Sequence, residues 1–335
     1  MHRVKLVSVL MWLVFSLPIA AHAQPHDAGK ADSDAQGPKL ASVNAAVALV
    51  GSNDLVFGKN ADRPVPLASV TKLMTALVVL ESGASLNEWL VFQKRHTPPA
   101  ANAYSRIRIG SQMRRADVMR IALMSSENFA AYTLARSYQG GFDGFIEAMN
   151  AKAKALGMTG TRFVDPTGLS VENLSTAGDL VRLVNALAKY PEIREYTTTE
   201  YFRGHFRKPR YSLSFGNTNA LVHRESWGVG LSKTGYLSQA GRCLVMISNM
   251  NGKQVITVLL DSLGTRSPMG DAGRIKRWLD TGASGQVAKA ARQYAREKNA
   301  AYHAMSNRTI SSNNSSNSST NSITNSASSK AARLN

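Results

Sequence analysis

The sequence predicts a mixed α/β protein of the α+β kind: an antiparallel sheet flanked by helices, with an all-helical lobe inserted into it. Three observations carry this. β-prone runs lie near both ends of the chain, at residues 43–58 and 227–261. The stretch between them carries mostly helical periodicity. Strong turn signals join the late strands directly to one another, which makes them antiparallel neighbours. Such a layout leaves a cleft between two lobes as the natural place for a site.

The elements follow in order. Residues 1–23 read as a secretory signal: Arg3 and Lys5 precede an apolar run from Leu6 to Ala20, and Ala21-His22-Ala23 is a small-x-small cleavage site before Gln24. The run is short for a membrane span, and no later run qualifies, so the mature protein is expected to be exported to the periplasm. Residues 24–40 are small and polar and read as a linker to a folded domain over 41–280. Residues 43–50 and 55–58 form a hairpin around Gly51-Ser52-Asn53-Asp54. A buried helix starts after Pro66, with Ser69 in its cap or first turn, and runs to Glu81. Residues 84–115 mix strand and loop character.

The helical lobe spans roughly 84–200. Residues 116–124 and 129–138 are helical patterns broken by Ser125-Ser126-Glu127-Asn128. Residues 142–156 carry apolar Phe145, Ile146, Met149 and Ala153 at helical spacing. Asp165-Pro166-Thr167-Gly168 is a turn signal. Residues 175–179 cap a helix that continues to Leu187 and stops at Pro191. The basic, aromatic stretch 201–211 is expected to be a solvated surface loop, with anionic glycan or membrane tracking as the alternative. Strands follow at 227–236, 241–250 and 254–261, the last two joined by Asn251-Gly252. A closing helix over 271–279 presents Ile275, Trp278 and Leu279 on one side. Residues 283–305, rich in Ala, Lys and Arg, are compatible with a helix, and 306–330 are nearly all Ser and Asn. The whole of 281–335 is expected to be a basic, disordered tail, with loose association with a membrane or wall protein as its alternative role.

The 335 residues carry 40 Lys and Arg against 22 Asp and Glu, a formal net charge of +18, of which +10 falls on residues 24–280. An exported basic protein meets anionic wall polymers or lipid headgroups, and the export signal argues against nucleic acid. Cys243 is the single cysteine and lies in an apolar strand-like run, so it reads as a small core residue and no internal disulfide can form.

The chemistry centres on Ser69 and Lys72. Three apart on a helix, they share a face. A lysine on a buried face is costly unless it is used. Serine needs a base within hydrogen-bond reach, yet the mature chain's histidines are scattered and no G-x-S-x-G occurs. Neither a histidine triad nor a zinc site is evident, and no cofactor is implied. Lysine serves as a base when burial and a neighbouring cation lower its pKa from ~10.4. Lys233 is the candidate second cation. Beside it, Thr234 offers a hydroxyl to a substrate carboxylate, and Gly235 lets substrate backbone lie against the strand. Ser126 and Asn128, in a break between helices, could relay a proton and hold a substrate amide. Read singly, Ser69 is a helix cap, Lys72 a snorkelling side chain and Asn128 a turn former.

Ser69-Val70-Thr71-Lys72, Ser126-Glu127-Asn128 and Lys233-Thr234-Gly235 reproduce, in order, S-x-x-K, S-x-N and K-T-G, and the chain thereby resembles the penicillin-binding proteins and serine β-lactamases. S-x-N alone is weak, since Ser42-Val43-Asn44 and Ser85-Leu86-Asn87 also match; K-T-G is rarer and occurs once. The second motif departs from S-D-N at Glu127, a position that varies among the low-molecular-mass D,D-peptidases. The resemblance extends over 66–81, 104–128, 142–170 and 227–243, and within the family it is to the exported D-alanyl-D-alanine endopeptidases. It implies the β-lactamase/D,D-peptidase fold. It implies that Ser69 attacks a D-alanine carbonyl, Lys72 takes its proton, Ser126 assists the leaving group, and Lys233 and Thr234 bind substrate. The backbone N–H groups of Ser69 and Tyr236 would hold the oxyanion. Cross-linked peptidoglycan peptides would be the substrate and β-lactams covalent inhibitors.

Three other functions share these residues. A class A β-lactamase adds E-x-x-L-N, which Glu172-Asn173-Leu174 does not match. A D,D-carboxypeptidase differs in its leaving group alone, and chemistry read from sequence does not separate the two. A pure wall-binding module would have no use for Lys72, and a β-lactam sensor is expected to carry a transmembrane helix, which is not evident in the sequence.

Overall fold

In a computed structural model, which describes residues 37–95 and 104–305, the strand-forming runs from both chain ends meet in one sheet. β1 (Asn44–Leu49) and β2 (Leu55–Lys59) make the early hairpin. β3 (Val65–Pro66) leads into a 3-10 turn, Ala68–Thr71, which runs straight into α1 (Lys72–Glu81). β4 (Trp89–Val91) and β5 (Gln112–Arg114) pair as a short ribbon. Then come α2 (Arg115–Met124), α3 (Asn128–Arg136) and α4 (Gly141–Ala155). β6 (Leu174–Ser175) pairs with β3, and α5 (Ala177–Leu187) starts on the cap Thr176, whose hydroxyl accepts the Asp179 N–H at 2.9 Å. α6 (Pro191–Thr198) precedes a hairpin of β7 (Tyr201–Phe206) and β8 (Tyr211–Gly216). β9 (Leu231–Leu237), β10 (Gly241–Met250), β11 (Lys253–Ser262) and α7 (Ser267–Thr281) follow, and residues 289–305 form α8.

The five-stranded antiparallel sheet has the order β2-β1-β11-β10-β9, so β1 crosses from the start of the chain to pair with β11 near its end. Asn251 and Gly252 both take positive φ, 55° and 75°, as a two-residue hairpin turn with the sheet's own twist requires. Period-two alternation gives the sheet two apolar faces. Ala46, Ala48, Val245, Ile247 and Val258 face the larger core with α1 to α5; Ala45, Val47, Leu244 and Met246 face α7 through Ala272 and Ile275. α1 is buried from Lys72 to Val79 and packs against α2, α3, α4 and α5. This central helix cannot shift without disturbing both lobes, and β9, on the sheet edge, runs beside the 3-10 turn that leads into it.

Four expectations change. The lobe between the strands is not all helix: β4 and β5 lie inside it. Pro191 opens a helix rather than ending one, since its missing N–H is no loss at the first helical position. The stretch 201–211 is no loop; Phe202, Gly204 and Phe206 turn inward while Arg203, His205 and Arg207 stay out, and Phe206 stacks on Tyr211 at 4.6 Å. The tail is ordered through α8. Val287 and Ala291 pack on Ala41, the Tyr294 hydroxyl donates to Asp261 at 2.5 Å, Lys298 pairs with Asp261 at 3.3 Å, and Tyr302 lies under the Arg63 guanidinium. Tyr294, Lys298 and Tyr302 are thus used within the fold, while Lys289, Arg292 and Arg296 are exposed. Residues 38–40 of the expected linker are likewise attached: Leu40 is buried and the Lys39 N–H donates to Ser284. The signal at 1–23 and the Ser/Asn-rich segment from 306 onward lie outside the described residues.

Candidate active site

Ser69 does not cap a helix. It sits second in the 3-10 turn, after Ala68, whose φ of 47° is left-handed and costs a non-glycine residue energy. Gly168, with φ +83°, holds that kink: a side chain there would begin 1.8 Å from the Ala68 carbonyl oxygen. The turn and the first residues of α1 then aim the Ser69 hydroxyl and the Lys72 amine at each other, 2.9 Å apart. Ser126 also has left-handed φ, 63°, at the exit of α2, and its hydroxyl lies 3.0 Å from Lys233 Nζ on β9. Glu127 caps α3 by accepting the Phe129 N–H, which leaves Asn128 in the first turn with its side chain free to reach Lys72.

Lys72 does not snorkel; it is 1 % exposed. Its Nζ donates to Asn128 Oδ1 at 2.7 Å and to the Thr167 carbonyl at 2.6 Å. Both partners are acceptors only. A neutral amine has two N–H groups and one lone pair, so these two oxygens take the hydrogens and the lone pair falls to Ser69 Oγ. Burial lowers the Lys72 pKa to about 7, against a smaller opposing pull from Asp165 and Glu127. Among the described residues no carboxylate reaches ion-pair distance of it. The second cation matters otherwise than expected. Lys233, 1 % exposed, is itself pushed well below the usual lysine range by burial and then by the charge of Lys72. Its remaining bond is to the Thr234 carbonyl at 2.8 Å.

The loop 165–170, expected to be a simple turn, supplies the Thr167 carbonyl. Asp165 accepts the N–H groups of Thr167, Gly168 and Ser170 and the Thr167 hydroxyl. Asn173 ties the same loop to the nucleophile's turn through Thr71 Oγ1 at 3.1 Å, and Thr75 Oγ1 donates to the Pro166 carbonyl. With its carboxylate thus bound by four donors, Asp165 has little capacity left to activate a water.

The pocket above these residues is lined by Ser69, Ser126, Asn128, Thr234, Gly235 and Tyr236, together with Thr218 and Arg242. All eight residues singled out from the sequence, Lys72 and Lys233 included, therefore gather at one place. Thr218 and Arg242 were missed. Thr218 Oγ1 bonds Thr234 Oγ1 at 2.6 Å, and Arg242 stacks on the Tyr236 ring at 3.8 Å. The β9–β10 register sets Arg242 opposite Tyr236, so that pair was legible once the turn at 238–240 was placed; nothing local marks Thr218. Gly235 has a different reason from the one expected. A Cβ there would lie 3.1 Å from Leu67 O and Ser69 N and 3.2 Å from Ala68 Cβ, so the missing side chain lets β9 close on the nucleophile's turn. Gly235→Ala is expected to shift that turn by a few tenths of an ångström and slow Ser69 acylation about tenfold, with little loss of stability. Penicillin-labelling rates beside thermal unfolding check this.

A serine hydroxyl served by a buried lysine, on a five-stranded sheet with a helical lobe, defines a serine hydrolase of the lysine-base class. Residues 31–264 match the peptidase S11 family, described as D-alanyl-D-alanine carboxypeptidase, and the chain belongs to that family. It is 43% identical over 296 residues to a D-alanyl-D-alanine endopeptidase of Escherichia coli (strain K12), covering 88% of this chain and 94% of the other. A D-alanyl-D-alanine endopeptidase of Pseudomonas aeruginosa is 44% identical over 285 residues, 85% and 92% of the two chains. Among solved structures, Penicillin-Binding Protein D2 from Listeria monocytogenes in its ampicillin-bound form superposes with a TM-score of 0.62 at 29% identity, covering 73% of this chain and 98% of that one. The β-lactamase/D,D-peptidase fold expected from the motifs is the fold observed.

Proposed function

We propose that this protein is an exported D,D-endopeptidase that hydrolyses the D-alanyl cross-links of peptidoglycan through an acyl-enzyme on Ser69. The observation that carries the mechanism is the aim of the Lys72 amine, whose hydrogens are taken by Asn128 Oδ1 and the Thr167 carbonyl. Neutral Lys72 removes the Ser69 proton as Oγ attacks the D-alanine carbonyl. The N–H groups of Ser69 and Tyr236 receive the oxyanion, an interaction worth about 3 kcal/mol per donor in comparable sites. Ser126, bonded to Lys233, relays the proton that Lys72 took to the departing amine, which leaves Lys72 neutral again, and Thr234 with Lys233 holds the substrate carboxylate. Water then releases the acyl group. No metal or cofactor enters this scheme.

The relatives support the leaving group: the two at 43–44% identity are named D-alanyl-D-alanine endopeptidases, and on this reading the leaving amine belongs to a cross-linked peptide, a diaminopimelate side chain, rather than to free D-alanine. The ampicillin complex of the Listeria protein supports covalent inhibition by β-lactams. Slow release rather than turnover of such drugs follows from the occupied carboxylate of Asp165 and from Glu172, which faces solvent beside Arg162 at 3.8 Å. Among the described residues no helix is long and apolar enough to cross a membrane.

The test gives the purified protein a mixture of cross-linked muropeptide dimers and monomeric pentapeptides and identifies products by mass. Dimers are expected to disappear, and penicillin or Ser69→Ala to prevent it. Loss of terminal D-alanine alone would instead establish a carboxypeptidase. Labelling of Ser69 by penicillin with neither product would leave a receptor.

A further inference from the structure

We propose that the surface formed by β4, β5 and the β7–β8 hairpin is a docking face for the anionic wall polymer, away from the scissile bond. Seven exposed cations converge there: Arg106, Arg108, Arg114, Arg203, Arg207, Lys208 and Arg210. The segments that carry them, 104–116 and 201–216, contain no Asp or Glu. Arg207 and Arg114 lie over the same indole, 3.7 and 5.0 Å from the Trp89 ring centre. Each cation that is anchored is anchored by a neutral group. Arg207 Nε donates to Gln112 Oε1 at 2.8 Å, Arg114 to the Asn87 carbonyl at 3.0 Å and Arg106 to the Ser214 carbonyl at 2.7 Å, while Arg108 stacks on Tyr211 at 4.9 Å. Among the described residues none of the seven has a carboxylate within ion-pair distance. Half-buried Asp117 is an acid whose field reaches Arg114.

A free surface charge run is floppy and scattered. Here Arg106, Arg108, Arg114 and Arg207 are held in place, and Asp117 offsets their mutual repulsion only in part; a bound polyanion would relieve it. Continuity with the cleft points to the substrate polymer rather than a bilayer. The face starts at Arg106 on Ser214, four residues before Thr218 in the pocket wall, and runs out along β8 to Lys208 and Arg210 at the hairpin tip. Eight to ten extended residues span about 25–30 Å. Stem-peptide carboxylates on strands neighbouring the one in the cleft fall within that reach. The assignment of the polymer rests on the proposed function; the anionic character of the ligand does not.

The test measures binding to isolated sacculi in a Ser69→Ala background, which removes the proposed cutting, at about 0.02 M and about 0.5 M salt. Arg207→Gln/Lys208→Gln/Arg210→Gln is expected to weaken binding about tenfold at low salt, from three exposed charge contacts, and the difference to vanish at high salt. Arg106→Gln/Arg108→Gln, on the other half of the face, is expected to weaken it in the same direction. With Ser69 intact, both variants should cut small soluble dimers at the parent rate while cutting intact sacculi more slowly. Equal sacculus binding by parent and variants overturns the proposal. So does a loss confined to vesicles of phosphatidylglycerol and phosphatidylethanolamine, which would make the face a membrane contact. If the protein cuts no dimers yet binds sacculi through these residues, the docking face stands and the endopeptidase reading falls.

Discussion

Lys72→Met is expected to abolish catalysis and leave the fold at least as stable. The substitution keeps the shape of a fully buried side chain and removes the amine. Loss of a general base costs about 10³- to 10⁴-fold in acylation, read as penicillin labelling of Ser69. Stability moves the other way. Holding this amine at about 7, against its ordinary 10.5, costs folding roughly 5 kcal/mol at neutral pH. Methionine relieves that cost, while Asn128 Oδ1 and the Thr167 carbonyl each lose a donor, at about 1–2 kcal/mol apiece. The difference leaves the variant about 1–3 kcal/mol more stable near pH 7. The pH dependence has a definite sign. Between about 7 and 10.5 the unfolded chain binds the Lys72 proton and the folded chain does not, so this residue makes stability rise with pH across that window. The methionine variant lacks that contribution. Acylation by the parent should climb as pH rises toward about 7, where Lys72 loses its proton, and level off above it. A Lys72→Met protein that labels normally, or that unfolds several degrees below the parent at neutral pH, would contradict the role given to this amine.

Gly168→Ala is expected to damage both fold and activity. The Cβ would sit 1.8 Å from Ala68 O, 2.4 Å from Ala68 C and 2.9 Å from Thr71 Oγ1, all in or beside the nucleophile's turn. The added φ penalty at +83° is about 1 kcal/mol. The collision is the larger effect, because the obstacle is the Ala68 backbone rather than a movable side chain, and Asp165, Thr75 and Asn173 pin the Gly168 loop against that turn. A total of about 3–4 kcal/mol, or about 10 °C in Tm for a domain of this size, is the expected loss. The loop must lift, and with it the Thr167 carbonyl. Lys72 then loses one of the two acceptors that turn its lone pair to Ser69, and labelling of the folded fraction should slow about 100-fold. Gly252→Ala separates the two causes. Gly252 has φ +75° but nothing within 4 Å of the added atom, so it should show the conformational penalty alone. Equal effects at both glycines would refute the account of Gly168 as the support beneath Ala68.

Where reading the sequence succeeded and failed follows the range of the interactions. The β10–β11 hairpin was legible in Asn251-Gly252, since both residues tolerate the positive φ that the turn demands. The β7–β8 hairpin was equally legible in the alternation of Phe202, Gly204 and Phe206 with Arg203, His205 and Arg207. Lys208, Pro209 and Arg210, which follow directly, obscured it. α8 was open to misreading because its partners are remote: Tyr294 and Lys298 meet Asp261, and Tyr302 meets Arg63. A short helix of Ala, Lys and Arg has little stability until such contacts form.

The sequence by itself singled out eight residues that meet at the candidate site, though not Thr218, Arg242 or the Thr167 carbonyl. Ser69 and Lys72 share a helix turn, and Lys233, Thr234 and Gly235 share a strand, so local geometry alone placed each group. Only the tertiary structure decided what each member does to the others. The proposed role of Lys72 as base rests on the Thr167 carbonyl and Asn128, from 95 and 56 residues away, which accept its hydrogens. Gly235 matters because β9 passes Ser69 so closely that a methyl group would press on the nucleophile's turn. Burial, which moves the lysine pKa furthest, is a property of the packed core and of no single segment of the chain.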